Sequence, residues 1–364
     1  MARFVCRAAA VRSAGAAPVA FFRSSAMVAV IALSGSSVLA ATHAVSNAAA
    51  LATLLGNANT LKPGDTIQLA AGSYNGKFIA TVSGSKGKPI TLKGSSTTIL
   101  TNPGGYGFHL KASYWKLTGF TVEKSKKGVI LDGAQHNLLD QLTVRSIDEE
   151  GIHLRSHSSD NVVQASKISY TGLVTAPYGE GIYIGSAISN WPDYTGGLPD
   201  RSNRNCIANN TLGPNISAEG IDVKEGTSGG KIIGNSYDRP SLSKAAMDFN
   251  GADSFLDVKG DGYMVYGNVV ANTLKNLYLV SGIQVHQKIE AGVAYGNNNV
   301  FRKNTMSLGG TASYGFDIQS STWGNTVCSD NAPITGATKG VSNLGPVACA
   351  ALATVPTCPA VLNN

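Results

Sequence analysis

The apolar and polar positions along the chain keep returning to one short motif: glycine, apolar, any residue, apolar, polar. The copies are Gly107-Phe108-His109-Leu110-Lys111, Gly128-Val129-Ile130-Leu131-Asp132, Gly151-Ile152-His153-Leu154-Arg155, Gly181-Ile182-Tyr183-Ile184-Gly185 and Gly220-Ile221-Asp222-Val223-Lys224. Phe255-Leu256-Asp257-Val258-Lys259 lacks the glycine, while Gly282-Ile283-Gln284-Val285-His286 and Gly315-Phe316-Asp317-Ile318-Gln319 keep it. Successive copies start 21, 23, 30, 39, 35, 27 and 33 residues apart. Alternation with a period of two predicts a short strand in each copy. A second short apolar run recurs between copies, at Asn161-Val162-Val163, Lys231-Ile232-Ile233 and Met264-Val265-Tyr266. It is followed by a polar ladder, Ser166, Asn210, Asn235, Asn268 and Asn304. The links are Gly/Asn turns with no room for a crossover helix. One such coil cannot bury its apolar face alone, so the coils must stack. The expected fold is all-β: a single-stranded parallel β-helix over residues 41–327, its Asn ladder buried in the turns. An antiparallel sandwich is the alternative, and seven intervals that keep one phase argue against it. Ser46-Asn47-Ala48 and the Ala/Leu run to Leu55 predict a short capping helix at the N-terminal end. Residues 328–364 lack the repeat and are expected to form an irregular C-terminal cap.

Composition agrees with a turn-rich solenoid. The chain has 42 Gly in 364 residues and only 14% charged residues, where about 25% is usual. There is no Gly-X-Y period, which excludes collagen, and 43% hydrophobic content argues against a disordered chain. The N-terminus carries Arg3, Arg7, Arg12 and Arg23, no acid, an apolar run at 27–33, and Val38-Leu39-Ala40. That pattern predicts a secretory signal over residues 1–40, its apolar core far short of the ~20 residues that span a bilayer. Four of the 29 basic residues leave with it, so 25 remain against 22 acidic ones, a net +3. The apparent basicity is thus partly a targeting feature. It gives no support to a nucleic-acid partner, and no later stretch reads as membrane-spanning. Cys206, Cys328, Cys349 and Cys358 remain after cleavage and allow three disulfide pairings. The expectation is a secreted monomer.

Alternate strand residues face the same way, so equivalent positions on stacked coils form outward columns about 4.8 Å apart per step. The first column reads His109, Ile130, His153, Tyr183, Asp222, Asp257, Gln284, Asp317; the second reads Lys111, Asp132, Arg155, Gly185, Lys224, Lys259, His286, Gln319. Ahead of the strands stands a partial ladder of Glu150, Glu180 and Glu219. Such a face is either a solvated sheet or the floor of a cleft for an acidic polymer. Scarce charge gathered on neighbouring coils favours the cleft, as does Lys224 stacked on Lys259, a contact that lowers a lysine pKa. Two long insertions, 187–204 and 238–251, flank these coils, and the first offers Trp191, Tyr194, Arg201 and Arg204 for stacking on sugars and pairing with carboxylates.

Residues 61–74 (LKPGDTIQLAAGSY) and the following 87–94 (GKPITLKG) resemble the opening coils of pectate-lyase-like right-handed parallel β-helix proteins. Glu219, Lys224 five residues later and the Gly234-Asn235 turn are similar to the chondroitinase B and alginate lyase family of polysaccharide lyases. The resemblance implies a calcium-binding role for Glu219, a catalytic role for Lys224, and, on the next coil, Lys259 where the family has a catalytic Arg. Ser217 stands where the family has a second Glu, and Glu180 or Asp222 would have to complete the calcium set.

The expected function is therefore β-elimination on a uronate-containing polysaccharide. Removing the C5 proton builds enolate-like charge, which Ca²⁺ held by Glu180, Glu219 and Asp222, or a lysine, would stabilise. Lys224 would be the base, neutral through crowding by Lys259 although Asp222 opposes this. Lys259 or His286 would serve the leaving O4. Arg155, Tyr183, Trp191, Arg201 and Asp257 would bind substrate. Two alternatives stay open: a glycoside hydrolase using Asp222 and Asp257, and a non-catalytic carbohydrate-binding β-helix.

Overall fold

The computed structural model describes residues 39–363. Nearly every regular element in them is a short strand paired in parallel with its counterpart one coil away. One sheet stacks eleven strands, from Thr42–Val45 at the N-terminal end to Thr326–Val327. Two further sheets share the long strands Thr98–Leu110 and Thr121–Asp132, which pass from one sheet to the next; register shifts near Asn102 mark the bend. The architecture is the parallel β-helix that the repeat predicts, right-handed as the resemblance implies.

The motif copies lie strand on strand. Phe108 pairs with Val129, Val129 with Ile152, Ile152 with Ile182, Ile182 with Ile221, Ile221 with Leu256, Leu256 with Ile283 and Ile283 with Phe316. All eight side chains are fully buried, each contributing about 1.5–3 kcal/mol of transfer free energy. The recurrent glycine has a steric cause. A Cβ on Gly128 would lie 2.1 Å from the Gly151 carbonyl oxygen, and one on Gly181 would lie 2.6 Å from that of Gly220. The copy without glycine explains itself in the same way: the Phe255 ring occupies the space over Gly220, 2.7 Å from where a Cβ would sit.

The Asn ladder is continuous. Nδ2 of Asn210 donates to Oδ1 of Asn235 (3.0 Å), Asn235 to Asn268 (3.0 Å), Asn268 to Asn304 (2.9 Å) and Asn304 to Asn331 (2.9 Å). Each of those oxygens also accepts a backbone N–H from the preceding coil. A second ladder, Asn137–Asn161–Asn205, runs through another turn of the N-terminal coils. The helix Ala48–Leu55 covers the N-terminal end, with the Asn47 side chain accepting from the Ala50 N–H (2.9 Å) and Leu51 and Leu55 buried.

Parallel pairing runs past residue 327: Ile334–Thr335 and Gly340–Ser342 add to the last coil. Disulfides join Cys328 to Cys349 and Cys206 to Cys358, resolving the three possible pairings. The second ties the chain end back to the middle of the eleven-stranded sheet, where Val361 packs on Val162 and Ala208. Residues 1–38 of the expected signal segment lie outside the described residues. No helix among the described residues is long and apolar enough to cross a membrane.

Candidate active site

The two insertions fold over the face where the outward columns carry charge. The first contains the short helix Trp191–Thr195, and the second the helix Lys244–Asn250, capped by Ser243. Phe249 of the latter meets Tyr178 edge to face at 5.8 Å, so one wall of the cleft is aromatic. The hollow beneath has a volume of about 450 Å³, and Lys127, His153, Glu180, Tyr183, Tyr194 and Lys224 are among the residues lining it.

Register places Tyr183, Asp222 and Asp257 side by side on successive strands. Asp222 stands between two ammonium groups, Lys224 Nζ at 2.6 Å and Lys259 Nζ at 3.1 Å. Lys259 also bonds Asp257, whose other oxygen is 2.9 Å from His286 Nδ1. The result is an alternating chain, Lys224–Asp222–Lys259–Asp257–His286. Lys224 Nζ lies 5.1 Å from the centroid of the Tyr183 ring, and the His153 ring packs on Tyr183 edge to face at 4.2 Å. His153 is fixed through Nε2 to the Gly185 carbonyl oxygen (2.8 Å), while its Nδ1 faces Glu150 at 3.6 Å.

Under this chain, Glu180, Glu219 and Asp222 each present a carboxylate oxygen within 4.8 Å of the others, all three residues buried. Oε2 of Glu180 has no hydrogen-bond partner. Burial, with the charges of Glu150 and Glu219, raises Glu180 well above the carboxylate range. Burial and Asp222 push Glu219 up to about 8. Three hard oxygen donors with one orphaned lone-pair site fit a Ca²⁺-type cation. Glu150 behaves differently: burial would raise it, but His153 and the Lys127 ammonium outweigh that and bring it to about 2.

The charge balance corrects one expectation. Burial would lower Lys224, but Asp222, Glu219 and then Glu180 outweigh it and hold the ammonium well above its ordinary value. Lys259 is raised in the same way by Asp222 and Asp257. Crowding by a second lysine is a small effect when a carboxylate stands between the two. Lys224 is thus a fixed cation in the free protein rather than a neutral base.

Several expected substrate contacts sit elsewhere. Trp191 is buried, with Nε1 donating to the Ser186 carbonyl oxygen (2.9 Å) and its ring edge-on to Tyr295, so it packs the insertion and offers no stacking face. Arg155 is buried and bound to Asp132 through Nε (2.7 Å). Arg201 is exposed and outside the hollow. Asp257 is buried and fully engaged, and Lys259 is closed off between two carboxylates. His286, about 41% exposed, ends the chain away from Tyr183. Of the expected residues, Tyr183, Lys224 and Glu180 line the hollow, and Glu219 and Asp222 complete its floor.

Lys127, Glu150 and His153 also line the hollow; Glu150 and His153 stand in the columns read from the sequence but had no role assigned there, and Lys127 was not among them. For Lys127 the signal was present: it precedes the repeat glycine, as Glu150, Glu180 and Glu219 do on later coils. It therefore begins their ladder, binding both Glu149 (2.9 Å) and Glu150.

A parallel β-helix with a roofed, lysine- and carboxylate-lined cleft is the frame of pectate-lyase-like proteins, and comparison with known proteins agrees. The profile of the NosD family, described as periplasmic copper-binding protein (NosD), matches residues 56–241. The crystal structure of alginate lyase from Paenibacillus sp. str. FPU-7 matches with 32% identity and a TM-score of 0.74, over 85% of this chain and 99% of that one. The chain belongs to the NosD family by the first match and to the family of the Paenibacillus enzyme by the second. Pectate lyase Pel9A shares the fold at 14% identity and a TM-score of 0.51, over 84% of this chain and 82% of its own. DFA-IIIase from Arthrobacter chlorophenolicus A6 does so at 14% and 0.52, over 81% and 70%. No curated protein sequence matches. Among the described residues the donors do not fit copper: all four cysteines there are in disulfides, and the clustered ligands are three carboxylates, a hard set.

Proposed function

We propose that this protein is a secreted polysaccharide lyase that cleaves a uronate polymer by β-elimination in the cleft above Tyr183 and Lys224. The observation that carries the reading is the pairing of a fixed Lys224 ammonium, 5.1 Å from the Tyr183 ring, with the buried carboxylate triad beneath it. Alginate is the first substrate to test, given the 32% identity to an alginate lyase. Two disulfides suit an oxidising, extracellular setting.

Elimination needs a cation at the uronate carboxylate, where charge grows as the C5 proton leaves, and a group that handles the proton. Lys224 fills the first role, its charge held in place by Asp222. Tyr183 fills the second, taking the C5 proton and delivering one to O4. His153, locked onto Gly185, fixes the angle of the phenol ring. In the free protein, burial and then the charges of Asp222 and Glu180 keep the Tyr183 phenol protonated far above its ordinary value. Ca²⁺ on Glu180, Glu219 and Asp222 would supply the positive charge that cancels this field.

The expected outcome with alginate is release of an unsaturated, ultraviolet-absorbing product, faster with calcium than with chelator. Without calcium, the pH at which the rate rises should move upward. Lys224→Ala should lower turnover about 10³-fold or more while the protein stays folded; retained lyase activity in that variant sinks the assignment. Saturated products alone would instead point to hydrolysis. The Asp222/Asp257 hydrolase reading has little support in the geometry, because each carboxylate is bound by a lysine or histidine on both oxygens.

A further inference from the structure

A second hollow, about 780 Å³, opens on the N-terminal coils of the same face. Its lining includes Lys77, Asn102, Gly105, Tyr106, His109 and Lys111, and no carboxylate. Lys77 and Lys111 are exposed, and neither forms an ion pair among the described residues. The acid that touches this lining through His109 is already spent: Asp132 holds His109 Nε2 at 2.7 Å and Arg155 Nε at 2.7 Å. The hollow at Lys224, by contrast, contains Glu149, Glu150 and Glu180 beside its two lysines. Uncompensated positive charge therefore lies at the N-terminal hollow and not at the site of chemistry.

The two hollows are neighbours on this face, with Arg155 between them. The Arg155 guanidinium stands 5.6 Å from the ring centroid of Tyr106, which lines the N-terminal hollow, and 4.2 Å from that of Tyr194, which lines the other. Along the register, His109, Ile130, His153 and Tyr183 are successive partners, and three coil steps span about 14 Å. A chain several sugars long reaches both.

We propose that the N-terminal hollow is a distal subsite for a uronate polymer, in which Lys77 and Lys111 pair with substrate carboxylates. Capture of the polymer then depends on chain length, while the chemistry at Tyr183 and Lys224 does not. The proposal rests on the lyase reading above, and the test separates the two.

The full protein and a Lys77→Ala/Lys111→Ala double variant are compared on polymeric alginate and on its trisaccharide. The double variant should raise KM for the polymer about ten-fold, weaken its salt dependence, and leave kcat and trisaccharide kinetics unchanged. Lys77→Arg/Lys111→Arg should restore polymer KM. An unchanged polymer KM overturns the subsite, and so does an equal loss on polymer and trisaccharide. If the wild-type protein releases no unsaturated product from any uronate polymer, the lyase reading fails. Affinity electrophoresis with and without alginate in the gel then decides the subsite. Retardation of wild type and not of the double variant supports it; equal retardation, or none, overturns it.

Discussion

Of the polar ladders stacked along this solenoid, the long Asn ladder and the acid–lysine ladder differ in one respect. In the Asn210–Asn331 ladder every amide oxygen accepts from the coil before it; the Nδ2 of Asn210, Asn235, Asn268 and Asn304 donates both to the next coil and to a backbone carbonyl, and that of Asn331, the last rung, to two backbone carbonyls. It leaves nothing over. In the acid–lysine ladder at the cleft and the coil after it, buried groups remain unmatched: Oε2 of Glu180 and Oε1 of Gln284 have no hydrogen-bond partner among the described residues. A buried polar group without a partner costs about 1–3 kcal/mol. The saturated ladder is a structural spine, whereas the unsaturated one retains capacity for a cation, a proton or a substrate.

The sharpest way to break this comparison is to remove one hydroxyl. Tyr183→Phe keeps the ring between His153 and Lys224 and should lower turnover about 10³-fold, with the melting temperature little changed. Stopped elimination in a folded protein is the expected readout; full activity would return Tyr183 to a packing role.

Asn235→Ala attacks the other ladder and should show the inverse pattern. It strands the Ile207 carbonyl and the N–H groups of Asn210, all buried. Denaturant unfolding should show a loss of about 3–5 kcal/mol, with kcat per folded molecule preserved.

A smaller effect follows from Glu150, the one member of its carboxylate ladder with an ion partner. Its pKa is lowered to about 2 when folded, against an ordinary value of 4.5. Its contacts with His153 and Lys127 therefore contribute stability that is fully present above about pH 4.5 and lost as pH falls towards 2. Thermal melts across that range should show the loss, and Glu150→Gln should flatten it by about 2 kcal/mol. The smallest effect is expected at Trp191. Because it packs inside the insertion, Trp191→Phe should leave KM within about two-fold, where a sugar-stacking platform would raise it much further.

Sequence alone carried the scaffold a long way. The eight motif copies pair in the order and phase that their spacing implies, because a period-two pattern exposes one choice of inward face and a slip of one residue would invert it. The ladder of Asn turns and the Asn47 cap were equally legible, being local rules of turn and helix chemistry. Lys127 was legible by the same rule: it sits one residue before a repeat glycine, like the acids that follow it.

What the sequence could not supply were the answers that depend on neighbours from other coils. It named Lys224 and Lys259 as stacked cations, yet only the fold places Asp222 between them and so reverses the sense of the pKa shift. It could not tell a stacking tryptophan from a packed one, since both are aromatic residues in a polar insertion, and Trp191 is buried because Tyr295 reaches it from a later coil. Nor could four cysteines choose their partners; Cys206 and Cys358 meet across 152 residues because the chain end folds back along the sheet. Spacing in the sequence determined which residues share a column. The tertiary structure decided which charges in those columns are spent and which are left to act, because a charge's strength depends on what surrounds it in three dimensions.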